Sequence, residues 1–186
     1  VNTFEFKDDV DPTTEDGAKV IIAICKESAR ELFVRYREVR PLFIFVCKPA
    51  GHDKYVVAMQ NVPTYLFDSD EGKDAAIAGM RKCAKLNNAI AAASICEAWL
   101  ATLSKEAMSN RPNTSLEFYP GRKEVVMLNF EHQLYAGTST GYIAEISRDG
   151  DKAELGEWSP PAESSSGRFT GILSGEPAVA PLSVNN

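Results

Sequence analysis

The chain predicts an α+β domain in which a largely antiparallel sheet of five or six strands carries two helices packed on one face. Two observations lead there. Two segments place apolar residues at helical spacing, and six others are short runs rich in β-branched and aromatic residues. Their order is helix, two strands, helix, four strands, with turn-forming residues rather than crossover helices between most of the strands.

The first helix opens at Pro12-Thr13-Thr14-Glu15-Asp16, where Thr13 is suited to capping and the acids favour the positive end of the helix. Ile21, Cys25, Ala29, Leu32 and Tyr36, with Ile24, Ser28 and Val39 alongside, make one apolar stripe. Lys19, Lys26, Arg30 and Arg37 form a basic row on another face, interleaved with Glu27, Glu31 and Glu38, which reads as a solvated surface with Glu31 and Arg35 at pairing distance. Pro41 stops the helix. The continuous apolar run Leu42 to Cys47 then predicts a strand buried on both faces. Turn residues at Pro49-Ala50-Gly51-His52-Asp53 lead into a second strand, Tyr55 to Met59.

A second helix spans 70–88, capped by Asp70, with Ala76, Met80, Cys83 and Leu86 inward and Asn87-Asn88 ending it. Ile90 to Thr102 has alanines that suit a helix, but the preceding Asn-Asn stop and Ile95, Cys96 and Trp99 assign it to a strand. Residues 103–121 hold too many breakers for a regular element, and a connection of this length is a natural place for a site. Val125–Glu131, Gly141–Arg148 and Lys152–Trp158 complete the sheet, the last two joined by Asp149-Gly150. The domain therefore runs over 1–158. Residues 159–186, rich in Ser, Pro and Gly, read as a flexible tail in which Phe169, Ile172 and Leu173 form an apolar island suited to docking on the domain or on a partner.

Composition narrows the function. The 186 residues, 44% hydrophobic and 25% charged, suffice for one real core. Twenty basic against 26 acidic residues give a net charge of −6, which argues against nucleic acid as a partner. No window approaches the roughly 20 apolar residues of a membrane span. Cys25, Cys47, Cys83 and Cys96 lie on separate elements, without the close spacing of metal or redox motifs. Buried thiols in a reducing cytoplasm are the first reading, and disulfides in an exported protein are the alternative. There is no Gly-x-Ser-x-Gly elbow and no glycine-rich loop leading into a helix.

Glu97-Ala98-Trp99, followed by Ser115-Leu-Glu-Phe-Tyr-Pro-Gly-Arg-Lys-Glu-Val-Val126, resembles a family of bacterial and phage-associated proteins of unknown function. In that family a strand ending in Ala-Trp precedes a loop carrying Ser, Pro, Arg and Glu. The resemblance covers residues 90–130 and implies no activity. Where the family's loop has Glu-His before the proline, this chain has Phe118-Tyr119, a departure that removes an imidazole and favours binding over catalysis.

The expectation is therefore a non-enzymatic binding or assembly protein, cytoplasmic and oligomeric, without a cofactor. It takes a protein partner or a second copy through Trp99, Glu117, Phe118, Tyr119, Arg122 and Glu124, with Glu97 beside them. Arg122 and Glu124, two apart on a strand, share a face and are placed to pair. The rival is a small metal-dependent hydrolase using His52 and His132, with Asp53 or Glu131 as base. Adjacent strand residues point to opposite faces, which makes Glu131-His132 a poor local chelate.

Overall fold

The computed structural model describes residues 2–6, 9–101, 119, 121–135, 138–160 and 169–173. Among them, strand β1 (Asn2–Glu5) precedes helix α1 (Glu15–Tyr36), followed by β2 (Leu42–Cys47), β3 (Val56–Asn61), α2 (Asp70–Leu86), β4 (Ala91–Leu100), β5 (Lys123–His132), β6 (Ser139–Asp149) and β7 (Lys152–Trp158). The strands form one sheet in the order β1-β3-β2-β4-β5-β6-β7, with every neighbouring pair antiparallel. The class is α+β, as the sequence predicts. The sheet has seven strands rather than five or six, because the acidic N-terminal stretch supplies β1 against β3. No helix among the described residues is long and apolar enough to cross a membrane.

The two helices do not share a face. Along β2, Leu42, Ile44 and Val46 join a core with Ile21, Cys25, Ala29 and Phe33 of α1, while Phe43 and Phe45 join a separate core with Ala76, Ile77, Met80 and Ala84 of α2. Alternation along a strand sends successive side chains to opposite sides, so a run buried at all six positions needs cover on both. In the sequence this run reads as doubly buried; its consequence for the helices is the correction.

The helix ends follow local chemistry. Asp11 Oδ1 accepts from the Thr13 amide and hydroxyl, and Thr14, not Thr13, caps α1 by accepting from Gly17 N at 3.1 Å. The helix stops four residues before Pro41, where Arg37 turns left-handed (φ 60°) and its N–H reaches Phe33 O at 2.8 Å. Ser69, one residue ahead of Asp70, caps α2. The stripe expected on α1 is partly wrong: Phe33 takes the buried position, and Tyr36 is 54% exposed. On α2, Leu86 is 71% exposed while Ile77 and Ala84 face inward.

In the basic row of α1, Lys19 stays in solvent and pairs with Glu15 and Asp16, but the other three cations reach toward the sheet. Lys26 Nζ lies 3.9 Å from the Tyr142 ring centroid, Arg37 Nη1 donates to Ala153 O at 3.0 Å and Arg30 stands 3.9 Å from Glu157, so these cations tie α1 to β6 and β7.

Residues 169–173, inside the stretch expected to be a tail, pack on the α2 face. Ile172 is fully buried in the Phe43 and Phe45 core, and the Phe169 ring stacks on Phe67 with centroids 5.6 Å apart. For these five residues the core extends past Trp158, and the apolar island docks on its own domain.

The approach of α1 to the preceding loop leaves no room at Gly17, where a Cβ would overlap the Asp11 carbonyl oxygen and stand 2.5 Å from Pro12 Cα. Because the obstruction is backbone, Gly17→Ala is expected to lower stability by about 1–3 kcal/mol, the usual cost of overpacking. Urea denaturation checks this, and an unchanged midpoint would show that the loop yields.

Candidate functional site

Three of the residues singled out in the sequence converge where β4, β5 and β6 pass under the end of α1. Glu124 and Trp99 are register partners, and Glu97 lies two residues along the same face. Glu124 does not pair with Arg122. It takes both its bonds from Arg148 on β6, with Nε to Oε2 and Nη2 to Oε1 each at 2.8 Å, a bidentate charge-assisted pair. Arg148 Nη1 donates to Arg37 O at 2.9 Å, and Nη2 lies 3.5 Å from Glu97 Oε2. Glu97 Oε1 accepts from Val39 N at 2.7 Å. The cluster thus clamps the left-handed exit of α1 onto three strands.

Burial raises the Glu97 carboxyl above its ordinary value of 4.5, outweighing the Val39 hydrogen bond and the Arg148 charge that favour ionisation. Arg122 places its guanidinium 5.0 Å from the centroid of the Trp99 ring, and Trp99 is 38% exposed rather than core. Tyr119 is partly buried and its carbonyl accepts from Arg122 N at 3.3 Å. Glu117 and Phe118, with most of the 103–121 connection, lie outside the described residues.

The histidines do not meet as a catalytic pair would. His132 is fully buried, with Nε2 at 2.8 Å from Pro12 O and Nδ1 accepting from Leu134 N at 3.2 Å. The acceptor role of Nδ1 places the proton on Nε2, so both ring nitrogens are committed to holding the N-terminal loop against the sheet. Glu131 points to the other face, where it accepts from Ile172 N and Leu173 N. His52 and Asp53 are exposed in the β2–β3 turn. Among the described residues no three His, Cys, Asp or Glu side chains are grouped to hold a metal ion.

All four cysteines are free, two buried and two partly buried. Desolvation pushes the Cys25 and Cys96 thiols up to about 12, which disfavours a reactive thiolate at either. Burial also raises Cys47, which shares an apolar cavity of about 270 Å3 with Cys83.

Two further concavities among the described residues lie at a place the sequence did not single out. Helix α1 packs toward the β4, β5 and β7 side of its face, leaving the β1-β3 edge and the Leu42 end of β2 beside a groove. Two cavities, of about 430 and 630 Å3, adjoin there and share Leu32, Arg35 and Asn61. Phe4, Leu42 and Met59 give an apolar floor, and Glu27, Glu31 and Arg35 of α1 form the wall. The wider end is bounded by Tyr36, Glu38, Arg40 and the strongly exposed Tyr65. Among the described residues, Glu31 and Arg35, despite their spacing, make no ion pair, and neither does Glu27. The available signal was the width of the α1 stripe: Ile24, Leu32 and Tyr36 are more apolar surface than one packed face consumes.

The fold and its surface thus define an α+β protein with a sheet covered on both sides and an open amphipathic groove on one of them. No family model, no curated protein and no solved structure matches the chain.

The raised Glu97 carboxyl makes stability depend on pH. Between 4.5 and its raised value in the fold, the folded chain keeps a proton that the unfolded chain has released. Its contribution is therefore complete below the unfolded value and is lost as pH rises through the folded one. Urea midpoints of the wild type should fall relative to those of Glu97→Gln across that window. Parallel curves from about pH 4 to pH 7 would show that the carboxyl titrates normally.

Proposed function

We propose that this is a non-enzymatic binding or assembly protein that receives an amphipathic polypeptide segment in the groove between α1 and the β1-β3-β2 half of the sheet. The observation that carries the reading is the combination of an apolar floor exposed at Phe4 and Met59 with a wall whose charges, Glu27, Glu31 and Arg35, make no ion pair among the described residues. Burying the floor under a partner removes apolar surface from water, and the unspent charges select what binds and in which direction. Basic side chains on the segment meet Glu27 and Glu31, and acidic ones meet Arg35; at the wider end Arg40 is already paired with Glu38 at 2.6 Å.

The clamp at Glu97, Glu124 and Arg148 serves this site indirectly. By fixing Arg37 and Val39 it holds the connection that carries Glu38 and Arg40 into the wider end. Trp99 and Arg122 form a second exposed aromatic surface beyond the clamp, and the Trp99–Arg122 pair with Tyr119 is the rival contact area. The hydrolase reading has no comparable support, since His132 has both nitrogens committed and its neighbour Glu131 is occupied on the opposite face.

Selection of peptides from a random library on the immobilised protein tests the reading. Enriched sequences should place apolar residues beside Lys or Arg, and Glu27→Lys/Glu31→Lys should weaken them at least tenfold with unchanged circular dichroism. Both glutamates are exposed, so the fold should survive the change. Binding that survives in this variant but is lost in Trp99→Ala/Arg122→Ala would move the site to the rival surface. Concentration-dependent sedimentation abolished by the same charge reversal would identify the partner as a second copy.

A further inference from the structure

The seat of residues 169–173 on the α2 face has the chemistry of a peptide-recognition site. The Glu131 carboxylate accepts two consecutive amides, Ile172 N at 3.0 Å and Leu173 N at 2.9 Å, one on each oxygen. On α2, Arg81 donates through Nη2 to Thr170 O at 2.9 Å and through Nε to Gly171 O at 3.2 Å, and Ser94 Oγ on β4 donates to Phe169 O at 3.2 Å. All five bonds run from side chains of the domain to main-chain atoms of the segment, and none is a rung of the sheet. Three side chains of the domain therefore read a backbone, as in the capture of a short linear peptide.

Sequence is read as well. Phe169 stacks on Phe67 at an interplanar angle of 2°, Ile172 is fully buried against the core beneath α2, and Gly171 has φ 71°, a conformation that favours glycine. Between this segment and the last residues of the sheet the sequence reads Pro161-Ala-Glu-Ser-Ser-Ser-Gly-Arg168.

We propose that the slot formed by Arg81, Ser94, Glu131 and Phe67 is a peptide-binding site for the pattern Phe-x-Gly-Ile-Leu, filled here in cis by Phe169–Leu173 and open to the same segment of a second copy of this chain. Covalent linkage to the domain keeps the cis segment at high effective concentration, so exchange in trans becomes visible when the chain is cut or the chains are concentrated. The site is independent of the groove beside α1, which lies on the other face of the sheet.

The test uses the full chain with a protease recognition sequence in place of residues 164–167, cleaved after purification. The probe is a fluorescein-labelled peptide of residues 167–175. The cut fragment should stay with the domain through gel filtration and be displaced by the probe. A probe carrying Gly171→Ala or Ile172→Asp should bind at least tenfold more weakly, and Arg81→Ala in the domain should have an effect in the same direction. At high concentration the uncut wild type should form dimers that Ile172→Asp removes.

The proposal is overturned if the fragment leaves and the probe does not bind, or if all three probes bind alike. It is also overturned if near-ultraviolet circular dichroism collapses on cutting, since the segment is then a permanent part of the core. Because the readout is the probe on the α2 face, failure here leaves the groove reading intact, and failure of Glu27→Lys/Glu31→Lys to matter leaves this one intact.

Discussion

Burial of β2 on both faces is the constraint on which the rest of the molecule depends. Six consecutive apolar side chains from Leu42 to Cys47 cannot be shielded by cover on one side, because every second one points away from it. The chain answers with α1 over Leu42, Ile44 and Val46, and with α2 and the returning Phe169–Leu173 segment over Phe43 and Phe45. A single helix across a seven-stranded sheet leaves part of a face open. On the α1 face that part is the groove; on the α2 face it includes the place that a short segment from far along the chain has come to fill.

The ionic groups of the interior act as fasteners between layers. Arg148 joins β6 to β5 through Glu124 and to the end of α1 through Arg37 O, while Glu97 reaches Val39 N from β4. His132 fixes the loop ahead of α1 at the other end of the sheet through Pro12 O. Helix α1 is thus held at both termini by polar contacts and along its length by Cys25, Ala29 and Phe33, and the groove it walls has a defined shape before any partner arrives. A preformed site spares a partner the entropy of ordering it.

Much of the fold was legible in the sequence because the signals were local. The apolar run of β2, the stop at Asn87-Asn88 and the Asp149-Gly150 turn each specify their own neighbourhood, and the structure places elements there. The side of the sheet taken by α2 was legible only by drawing the consequence of double burial, since both helices are amphipathic and neither pattern names a partner face. The site was less legible still. Trp99, Arg122 and Glu124 are brought together, but Glu124 pairs with Arg148, a residue 24 positions away whose register no local pattern reveals. Glu131 looked like a candidate base beside His132, and only the return of residues 169–173 shows what its two oxygens hold.

The proposed reading, binding and not catalysis, rests on the division between spent and unspent charge. A general base needs a lone pair aimed at a substrate, and a metal needs several such pairs converging. Glu124 and Arg148 are spent on each other near the surface, and His132, Glu131, Glu97 and Arg81 direct their polar atoms at other parts of the chain, where each satisfies a group that burial would otherwise leave unpaired. Withdrawing any of them for chemistry would expose that group's desolvation cost. Among the described residues Glu27, Glu31 and Arg35 have no ion pair, Arg35 lying only over the Tyr36 ring, and they stand beside apolar surface. Charges of this kind, exposed, uncrowded and set along an apolar floor, act on the orientation and identity of something that docks. On that reading, the physical resources left free among the described residues are those of recognition.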